Sequence, residues 1–339
     1  MRKVTGRLAL PLALTALLLS VVAAVFFGSV RLSGTHILQS LLAGPNGTDG
    51  TESLIVWSLR LPRILLAAIV GGGLAVVGVA MQALVRNPLA DPYVLGISSG
   101  AAAGASLFYM GFLPAGILSI LTMPIAAFLG GLITIILVFV VARTDGSVSI
   151  ARLLLAGVAL SALMASIASF VTFSSPDPNR VRGVLFWLLG SFSGARWNEL
   201  LLPAATCLLG TIVLFLLSRP LDALLLGEDA AQSLGIDVER LKKLLFALCA
   251  LMTGFLVAAA GTIGFVGLIV PHGVRSVVGI GHRRVVPLAF LTGAVFMVWA
   301  DVLSSSLLRP VEFPVGVVTA MAGVPFFLIL LRASRYQFG

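Results

Sequence analysis

Leu59-Arg60-Leu61-Pro62-Arg63 opens the stretch that decides the fold, and it runs directly into the apolar segment 64–85. The turn Arg86-Asn87-Pro88-Leu89-Ala90-Asp91-Pro92 follows, and after it residues 96–105 are almost all Gly, Ala or Ser. About 20 apolar residues in a helix cross the hydrocarbon core of a bilayer, so 64–85 predicts a membrane span. The stretch therefore predicts one span, a stiff polar turn, and a second span that packs closely against its neighbours.

The whole chain has the composition of a polytopic membrane protein. Of its 339 residues, 59% are hydrophobic and 10% are charged, whereas about half apolar residues already fill the core of a soluble domain. Ten apolar runs predict an all-α fold with ten transmembrane helices: 8–28, 62–85, 97–113, 116–142, 150–173, 199–218, 241–261, 262–280, 285–307 and 315–332. The first run exceeds the ~7–15 apolar residues of a signal peptide, so we expect it to be retained.

The basic residues predict the orientation of these spans. If the N terminus lies inside, about two thirds of the 22 Lys and Arg residues fall on that side, which identifies it as the cytoplasm. Both termini of a ten-span chain are then cytoplasmic. The net charge of +9 mostly reflects this topology, so we expect membrane lipid around the chain and no nucleic-acid partner.

The polar insertions divide this single transmembrane domain, 1–339, into two sides. The external loops are 31–61, with a short helix predicted at Thr35 to Leu42, and 174–198. The cytoplasmic insertion 219–240 predicts two short helices, broken near Gly227 and ended by Gly235. Its apolar residues need either a partner protein, which we favour, or the underside of the chain itself.

An inverted repeat of the kind found in transporters is suggested by two matching pairs of residues. Gly78 and Pro88 are ten positions apart, and so are Gly261 and Pro271, each pair in an apolar run. Elsewhere, Gly71, Gly72, Gly73 and Gly78, and also Gly96, Gly100 and Gly104, form small-residue faces. These faces predict close helix packing, because lipid supplies no hydrophobic drive for association.

The fifth predicted span carries a weakly polar face. Ser161, Ala165, Ser169 and Thr172 are spaced by four, four and three residues, and so share one side of a helix. Hydroxyls in such a helix often bond to their own carbonyls, which leaves a polar packing seam as the alternative. We favour a water-accessible translocation pathway, since such a surface holds a passing cargo only loosely.

Asp301 is the only acidic residue inside a predicted span, and it lies two turns before Arg309. Intramembrane carboxylates are functional candidates, so the alternatives are pairing with a nearby arginine or a proton relay. His272 stands alone, without a second ligand at helical spacing, so we expect no metal site.

Two absences restrict the chemistry. The sequence has no G-x-x-x-x-G-K-[ST] loop, so we expect the chain itself to bind neither ATP nor another cofactor. It also has no nucleophile–base constellation, so we do not expect an enzyme.

An ordered set of motifs resembles the FecCD-type permeases of ABC importers for iron chelates, haem and cobalamin. The set comprises 59–63, Gln82 with 86–92 and 95–96, 152–160, 187–191, 264–272 and the C-terminal run 312–326. The resemblance covers roughly 55–332. It implies a homodimer of ten-span subunits in a bacterial cytoplasmic membrane, two ATP-binding cassette subunits that use ATP and Mg²⁺, and a periplasmic or lipoprotein substrate-binding protein.

The resemblance also implies roles for individual residues. Asn87, Leu89, Ser149 and Ile150 occupy the family's cytoplasmic gate positions. Leu224, Gly227, Glu228, Ala231 and Gly235 would couple the permease to the ATPase. Arg60, Arg63 and Arg309 would bind carboxylates of the substrate-binding protein.

The cargo and the energy source have alternatives. From the frequency of cargoes in the family, the resemblance implies an Fe(III)-siderophore first, haem second and cobalamin third. Ile150 and Ala151, where cobalamin permeases have a hydroxyl-rich gate, weaken the cobalamin assignment. A secondary transporter driven by an ion gradient is the alternative from another class, and it would need a carboxylate or sodium site near mid-membrane. A structural scaffold is a third reading, but it has no need of a hydroxyl-lined face.

Overall fold

The computed structural model describes residues 2–45, 50–112, 116, 121–144, 147–309 and 311–333, and this part of the chain is almost entirely helical. The α-helices are α1 (Arg2–Ala24), α2 (Gly34–Ala43), α3 (Thr51–Leu54), α4 (Leu61–Val85), α5 (Ile97–Tyr109), α6 (Met123–Ala142), α7 (Ile150–Phe173), α8 (Pro178–Leu188), α9 (Leu201–Leu216), α10 (Ser218–Leu224), α11 (Glu228–Ser233), α12 (Val238–Ala260), α13 (Val266–Val278), α14 (His282–Ser306) and α15 (Val315–Ala333). A π-helix, Ile55–Arg60, joins α3 to α4, and 3₁₀ turns lie at Pro92–Leu95 and Trp197–Glu199. Between α6 and α7, β1 (Arg143–Thr144) pairs antiparallel with β2 (Ser147–Val148).

Each of the ten predicted segments contains a helix in the described residues. Six helical runs are long and apolar enough to cross a membrane: Thr51–Val85, Met123–Ala142, Ile150–Phe173, Trp197–Leu216, Val238–Ala260 and His282–Ser306. Shorter apolar helices cover Leu8–Ala24, Val266–Val278 and Val315–Ile329. Residues 113–115 and 117–120, where the predicted third span ends and the fourth begins, lie outside the described ranges.

Two helices are shorter than predicted. Both α5 and α13 have 13 residues, which is about 20 Å of helix against about 30 Å of hydrocarbon. The chain before α13 is not helical at 261–265, which confirms the turn that the sequence predicts at Gly261–Gly264, although α13 begins at Val266 and not at 262. Phe265, in the left-handed region with φ 70°, turns the chain into α13. Two interruptions, the 3₁₀ turn Pro92–Leu95 before α5 and the non-helical chain before α13, are joined by the Tyr93 hydroxyl, which donates to Ile263 O (3.0 Å) and accepts from Ile263 N (3.1 Å).

The centre of the bundle is α4, and the predicted small-residue faces are the places where other helices meet it. A methyl group on Gly293 of α14 would lie 2.6 Å from the Ala75 Cβ of α4. Three residues further along α4, a methyl group on Gly78 would lie 2.6 Å from the Gly267 Cα of α13. The same packing joins α5 to α6, where a methyl group on Gly100 would lie 2.5 Å from the Gly130 carbonyl oxygen. The predicted close approach is therefore confirmed for these helices.

The repeat predicted from glycine and proline positions is wrong in its register. Gly78 lies inside α4 and Pro88 in the turn after it, whereas Gly261 ends α12 and Pro271 lies inside α13. What recurs is a 13-residue helix in second place of four. The series α4, α5, α6, α7 has 25, 13, 20 and 24 residues, and the series α12, α13, α14, α15 has 23, 13, 25 and 19.

The polar insertions fold as short helices. The helix predicted in 31–61 is α2, and the Ser33 hydroxyl caps it by accepting from His36 N. In 174–198 the chain forms α8, capped by Asp177. In 219–240 it forms α10 and α11, with Gly227 at φ 114° between them and Gly235 at φ 82° after them. Below, the inner end is the end of the bundle that carries Arg86 and α10, and the outer end is the one that carries Arg60.

Candidate functional site

A groove of about 340 Å³ is lined by residues of α5, α7 and α8. Three of the four residues predicted to line a pathway, Ala165, Ser169 and Thr172, belong to its wall. Ser98 and Ser99 from the first turn of α5 add two hydroxyls. None of the described residues in the wall is charged, so the groove offers a neutral, weakly polar surface.

Ser161, the fourth predicted residue, packs elsewhere. Its hydroxyl faces the left-handed turn at Gly96 (φ 82°), where an added methyl group would lie 3.1 Å from Ser161 Oγ. Thr172 is 7% exposed and donates to the Ala168 carbonyl oxygen at 2.7 Å. The predicted face therefore divides into a packed inner part and a groove-lining part, in which Ser169 is exposed.

The groove also contains residues that the sequence interpretation missed. Ser98 and Ser99 lie in the small-residue segment, which was interpreted only as a packing surface. Thr262 lies in the non-helical chain before α13, which was predicted to be part of a span. The sequence predicts a turn at Gly261–Gly264, where it divides the long apolar run, but not that this turn borders the groove. A signal for that role was present, because discontinuous helices in transporters mark the cargo pathway.

The turn after α4 is held by its own side chains. Asn87 Oδ1 accepts from Leu89 N at 2.9 Å, and Asp91 Oδ1 accepts from Tyr93 N at 2.8 Å. Arg86 ends α4 in the left-handed region with φ 52°. Burial raises the pKa of Asp91, and the hydrogen bond from Tyr93 N opposes that rise. The turn is therefore a preformed unit, with Asn87 exposed.

Ser149 and Ile150, the other predicted gate residues, lie where α7 begins. Ser149 is exposed, and Ile150 is partly buried. The helix packs against the 3₁₀ turn Pro92–Leu95, since a methyl group on Gly157 would lie 3.2 Å from Leu95 Cα. The start of α7 and the turn after α4 thus belong to neighbouring elements.

The inner segment α10–α11 packs on the chain's own underside with one face. Leu221, Leu224 and Ala231 are at most 1% exposed. The expectation that the apolar residues of α10 mainly need a partner protein is therefore wrong for Leu221 and Leu224. Two predicted coupling residues, Leu224 and Ala231, face inward and are not available to another protein.

The opposite face of the segment carries exposed apolar side chains. Leu226 is 72% exposed and Leu234 is 65% exposed, next to the exposed Gly235. Glu228 anchors α11 to α12 through Lys242 Nζ at 2.6 Å. A methyl group on Gly227 would lie 3.7 Å from Arg86 Nη1, which places the break between the two helices beside the turn after α4.

At the outer end, Arg63 forms a buried ion-pair cluster. Its Nε donates to Asp301 Oδ2 at 2.8 Å, its Nη2 to Asp301 Oδ1 at 2.9 Å, and its Nη1 to Glu312 Oε2 at 2.8 Å. The predicted pairing of Asp301 with an arginine is confirmed, but the partner is Arg63 and not Arg309. Two carboxylates of the same chain occupy the Arg63 guanidinium, which therefore has no free face for a docking partner.

Arg60 differs from Arg63 because no carboxylate in the described ranges pairs with it. Its side chain is 7% exposed and donates to the Val25 and Val30 carbonyl oxygens. Arg309 lies close enough for the two like charges to interact, and Arg309 Nε is buried without a hydrogen-bond partner in the described part of the chain. A cavity of about 150 Å³, lined by Arg60 and Arg63, opens beside them. This corner of the outer end carries excess positive charge.

Comparison with known proteins identifies the family. The model of the FecCD transport family matches residues 16–333. The chain belongs to the FecCD transport family. The resemblance predicted from its ordered motifs is thereby confirmed, and this FecCD protein is a multi-pass membrane permease.

Several curated relatives of this FecCD permease carry different transport names. It is 42% identical over 293 residues to the cobalamin import system permease protein BtuC of Halobacterium salinarum, covering 84% of this chain and 75% of that protein. It is 42% identical over 285 residues to the hemin transport system permease protein HmuU of Yersinia pestis, covering 83% and 84%. It is 40% identical over 283 residues to the Fe(3+) dicitrate transport system permease protein FecD of Escherichia coli, covering 83% and 86%.

A solved structure supports the architecture. It is described as an inward-facing conformation of a metal-chelate type ABC transporter, and it shares 32% sequence identity with this FecCD permease at a TM-score of 0.82. The match covers 96% of this chain and 99% of that one. The groove, the inner segment and the outer basic corner therefore lie in an ABC permease fold.

Proposed function

We propose that this chain is the translocation subunit of an ATP-driven importer, which passes a metal chelate across the cytoplasmic membrane by alternating access. The observation that carries the proposal is the neutral groove beside α7 in a FecCD permease fold. Ten spans with both termini cytoplasmic give the groove an outer and an inner mouth. ATP and Mg²⁺ are used by a separate pair of ATP-binding cassette subunits.

The proposed complex contains two copies of the chain. Only 22% of the apolar stretch of α7 that could cross the membrane is buried, the lowest share among the six long apolar helices. Of the large apolar residues on α15, Met321 is 74% exposed and Ile329 is 68% exposed. A second copy on the faces of α7 and α15 would cover these side chains and close the groove from the lipid.

The inner segment is the proposed coupling site. Leu226 and Leu234 offer apolar surface at the inner end, while the inward face of α10–α11 is already packed. The ion pair between Glu228 and Lys242 would keep the segment rigid under load, since it joins α11 to the long helix α12. We therefore assign contact with the ATPase to Leu226, Leu234 and Gly235, and support of that contact to Leu224 and Ala231.

The outer basic corner is the proposed docking site for a substrate-binding protein. A carboxylate of that protein would be attracted by the positive charges of Arg60 and Arg309. Arg60 is 7% exposed and Arg309 Nε is buried, so these groups would act through their electrostatic field and not by contact at those atoms. Arg63 would act indirectly, because its pairing with Asp301 and Glu312 fixes α4 against α14 and the chain before α15. Electrostatic complementarity of this kind mainly sets orientation and encounter rate.

The proposed cargo is a chelate that brings its own ligands. In the described ranges, no group of three His, Cys, Asp or Glu residues could hold a bare metal ion. The described residues that line the groove also include no charged side chain. We place an Fe(III)-siderophore first, haem second and cobalamin third. The curated relatives carry names for iron dicitrate, hemin and cobalamin, so the order rests on the frequency of cargoes in the family, and Ile150 and Ala151 count only against cobalamin.

Uptake in cells tests the proposal. A strain that lacks the chain is complemented with it and its partners, and receives labelled ferric siderophore, hemin and cobalamin in competition. Uptake of one cargo that stops when the partner ATPase is inactivated would support the proposal. Uptake that survives an inactive ATPase but stops with an ionophore would contradict it and return attention to the ion-gradient alternative. The structure does not favour that alternative, because Arg63 neutralises Asp301.

A further inference from the structure

A carboxylate of the inner segment caps a membrane span. The residue before α14 is Gly281, which has no side chain to satisfy the first amides of that helix. Asp222 of α10 supplies the missing acceptor, because its Oδ1 accepts from His282 N at 2.9 Å. A carboxylate at this position is favoured both as a cap and by the helix dipole.

The same carboxylate holds the first side chain of α14. His282 Nδ1 lies 2.6 Å from Asp222 Oδ1, and the ring is fully buried. Its other nitrogen, Nε2, has no hydrogen-bond partner in the described part of the chain. Among the described residues, the ring therefore has its side-chain hydrogen bond only to Asp222 of α10. A displacement of α10 would act through this bond on the end of α14.

A second pair of side chains continues this contact toward the turn after α4. Only residues 279–281 separate the end of α13 from His282, and in the last turn of α13 the Nη1 of Arg275 donates to Gln82 Oε1 of α4. Gln82 Nε2 also donates to the Gly267 carbonyl oxygen at 3.2 Å, so Gln82 touches both ends of α13. Gln82 is 2% exposed, which leaves no room for water to replace these partners.

Gln82 also belongs to the turn itself. Its carbonyl oxygen accepts from Asn87 N at 3.1 Å, and this bond closes the turn that holds Asn87 and Leu89. A shift of Gln82 would therefore move the predicted gate. The path therefore runs from Asp222 to His282, through the short connection 279–281 to Arg275 of α13, and from Arg275 to Gln82 and that turn.

We propose that Asp222, His282, Arg275 and Gln82 are positioning residues that transmit movement of the inner segment to the turn at Asn87–Leu89. The proposal rests on the proposed function, since it assumes that an ATPase moves α10–α11. The four residues touch neither the groove nor the exposed face of Leu226 and Leu234. Their loss should separate ATP hydrolysis from gate movement without preventing assembly of the complex.

A thiol reporter in the gate turn tests the proposal without knowledge of the cargo. Leu89→Cys is introduced into the permease in complex with its ATPase, in inside-out vesicles, and its labelling by a membrane-impermeant maleimide is timed with and without ATP and vanadate. Cys207 and Cys249 are buried, so position 89 supplies the reactive thiol. We expect the nucleotide to change the labelling rate about fivefold or more, and Asp222→Ala to remove most of that change while ATP hydrolysis persists.

Matched variants separate transmission from folding. His282→Asn places a donor near the position of Nδ1 and should retain the response, whereas His282→Ala should lose it. Arg283→Ala, at the exposed neighbouring position, should behave as the parent. If Asp222→Ala fails to assemble, Arg275→Met tests the other end of the same path.

The outcomes are distinguishable. A parent complex that shows no nucleotide-dependent labelling would overturn the proposed function, and this inference with it. A parent that responds, with Asp222→Ala and Arg275→Met assembled and responding equally, would overturn the inference alone.

Discussion

Replacing Gly78 by alanine tests whether the contact between α4 and α13 is as tight as the structure indicates. The added Cβ would lie 2.6 Å from both the Cα and the carbonyl carbon of Gly267, with the Gly267 carbonyl oxygen closer still. Ordinary contact begins near 3.4 Å, so the two helices must part by about 1 Å. Both partners are backbone, so no side chain can rotate away.

The cost follows from that displacement. Overpacking of a core by one methyl group costs about 1–3 kcal/mol, and backbone-to-backbone contact places Gly78→Ala at the upper end. A radial gap of 0.5–1 Å forfeits roughly a quarter to a half of each dispersion contact along the interface. At about 2–4 °C per kcal/mol for large domains, we expect the unfolding midpoint to fall by about 6–12 °C.

The two cysteines provide the assay. Cys207 and Cys249 are buried, so a thiol-reactive fluorescent dye in detergent reports the opening of the bundle on heating. Gly273→Ala is the matched control. Gly273 lies in α13, the helix that Gly78 contacts, but a methyl group on Gly273 meets nothing within 4 Å. That variant should be neutral or stabilised by about 0.5–1 kcal/mol, because alanine is the better helix former. A Gly78→Ala midpoint equal to the parent, or an equal fall in Gly273→Ala, would refute the packing argument.

Three further predictions concern the ion pair, the coupling face and the groove. Asp301→Asn breaks the buried pair with Arg63 and should cost about 3–5 kcal/mol, measured with the same dye; an unchanged midpoint would show that the pair is dispensable. Leu226→Asp should leave the midpoint unchanged, because the side chain is 72% exposed, but should weaken ATPase binding about tenfold or more in titrations of the purified proteins. Ser169→Trp should fill much of the groove and lower uptake while ATP hydrolysis continues; full uptake would remove the groove from the pathway.

The sequence predicted where the helices lie because each span carries its own evidence. An apolar run such as 64–85 must be helical in a bilayer, whatever its neighbours are. The 13-residue lengths of α5 and α13 were not predictable in this way. A turn at Gly261–Gly264 was predictable, because the apolar run there is about twice the length of a span, but the extent of the interruption depends on tertiary contacts such as that between Tyr93 and Ile263.

Long-range partners were the main source of error. Asp301 and Arg63 are 238 positions apart, and the sequence offered Arg309 as the nearer candidate. In α10 the difficulty was different. Leu224 ends this seven-residue helix and Leu226 follows two residues later, so the pattern alone could not show that Leu224 is buried and Leu226 exposed.

The groove was predicted in part for a related reason. The spacing of Ala165, Ser169 and Thr172 fixed their common face, because helical periodicity is local. Whether Ser161 extends that face depends on the position of Gly96, in a different element. Ser98 and Ser99 could not be assigned to the groove before the packing of α5 against α7 was known.

The bond between Tyr93 and Ile263 has an evolutionary consequence. The Tyr93 hydroxyl, in the turn before α5, bonds both the carbonyl oxygen and the amide of Ile263, which lies in the non-helical chain before α13. An insertion or deletion in either connecting segment would shift that oxygen out of reach of both groups at once. The two halves of the chain therefore cannot change length independently at these points, and descendants should conserve the distance from Tyr93 to α5 and from Ile263 to α13 together.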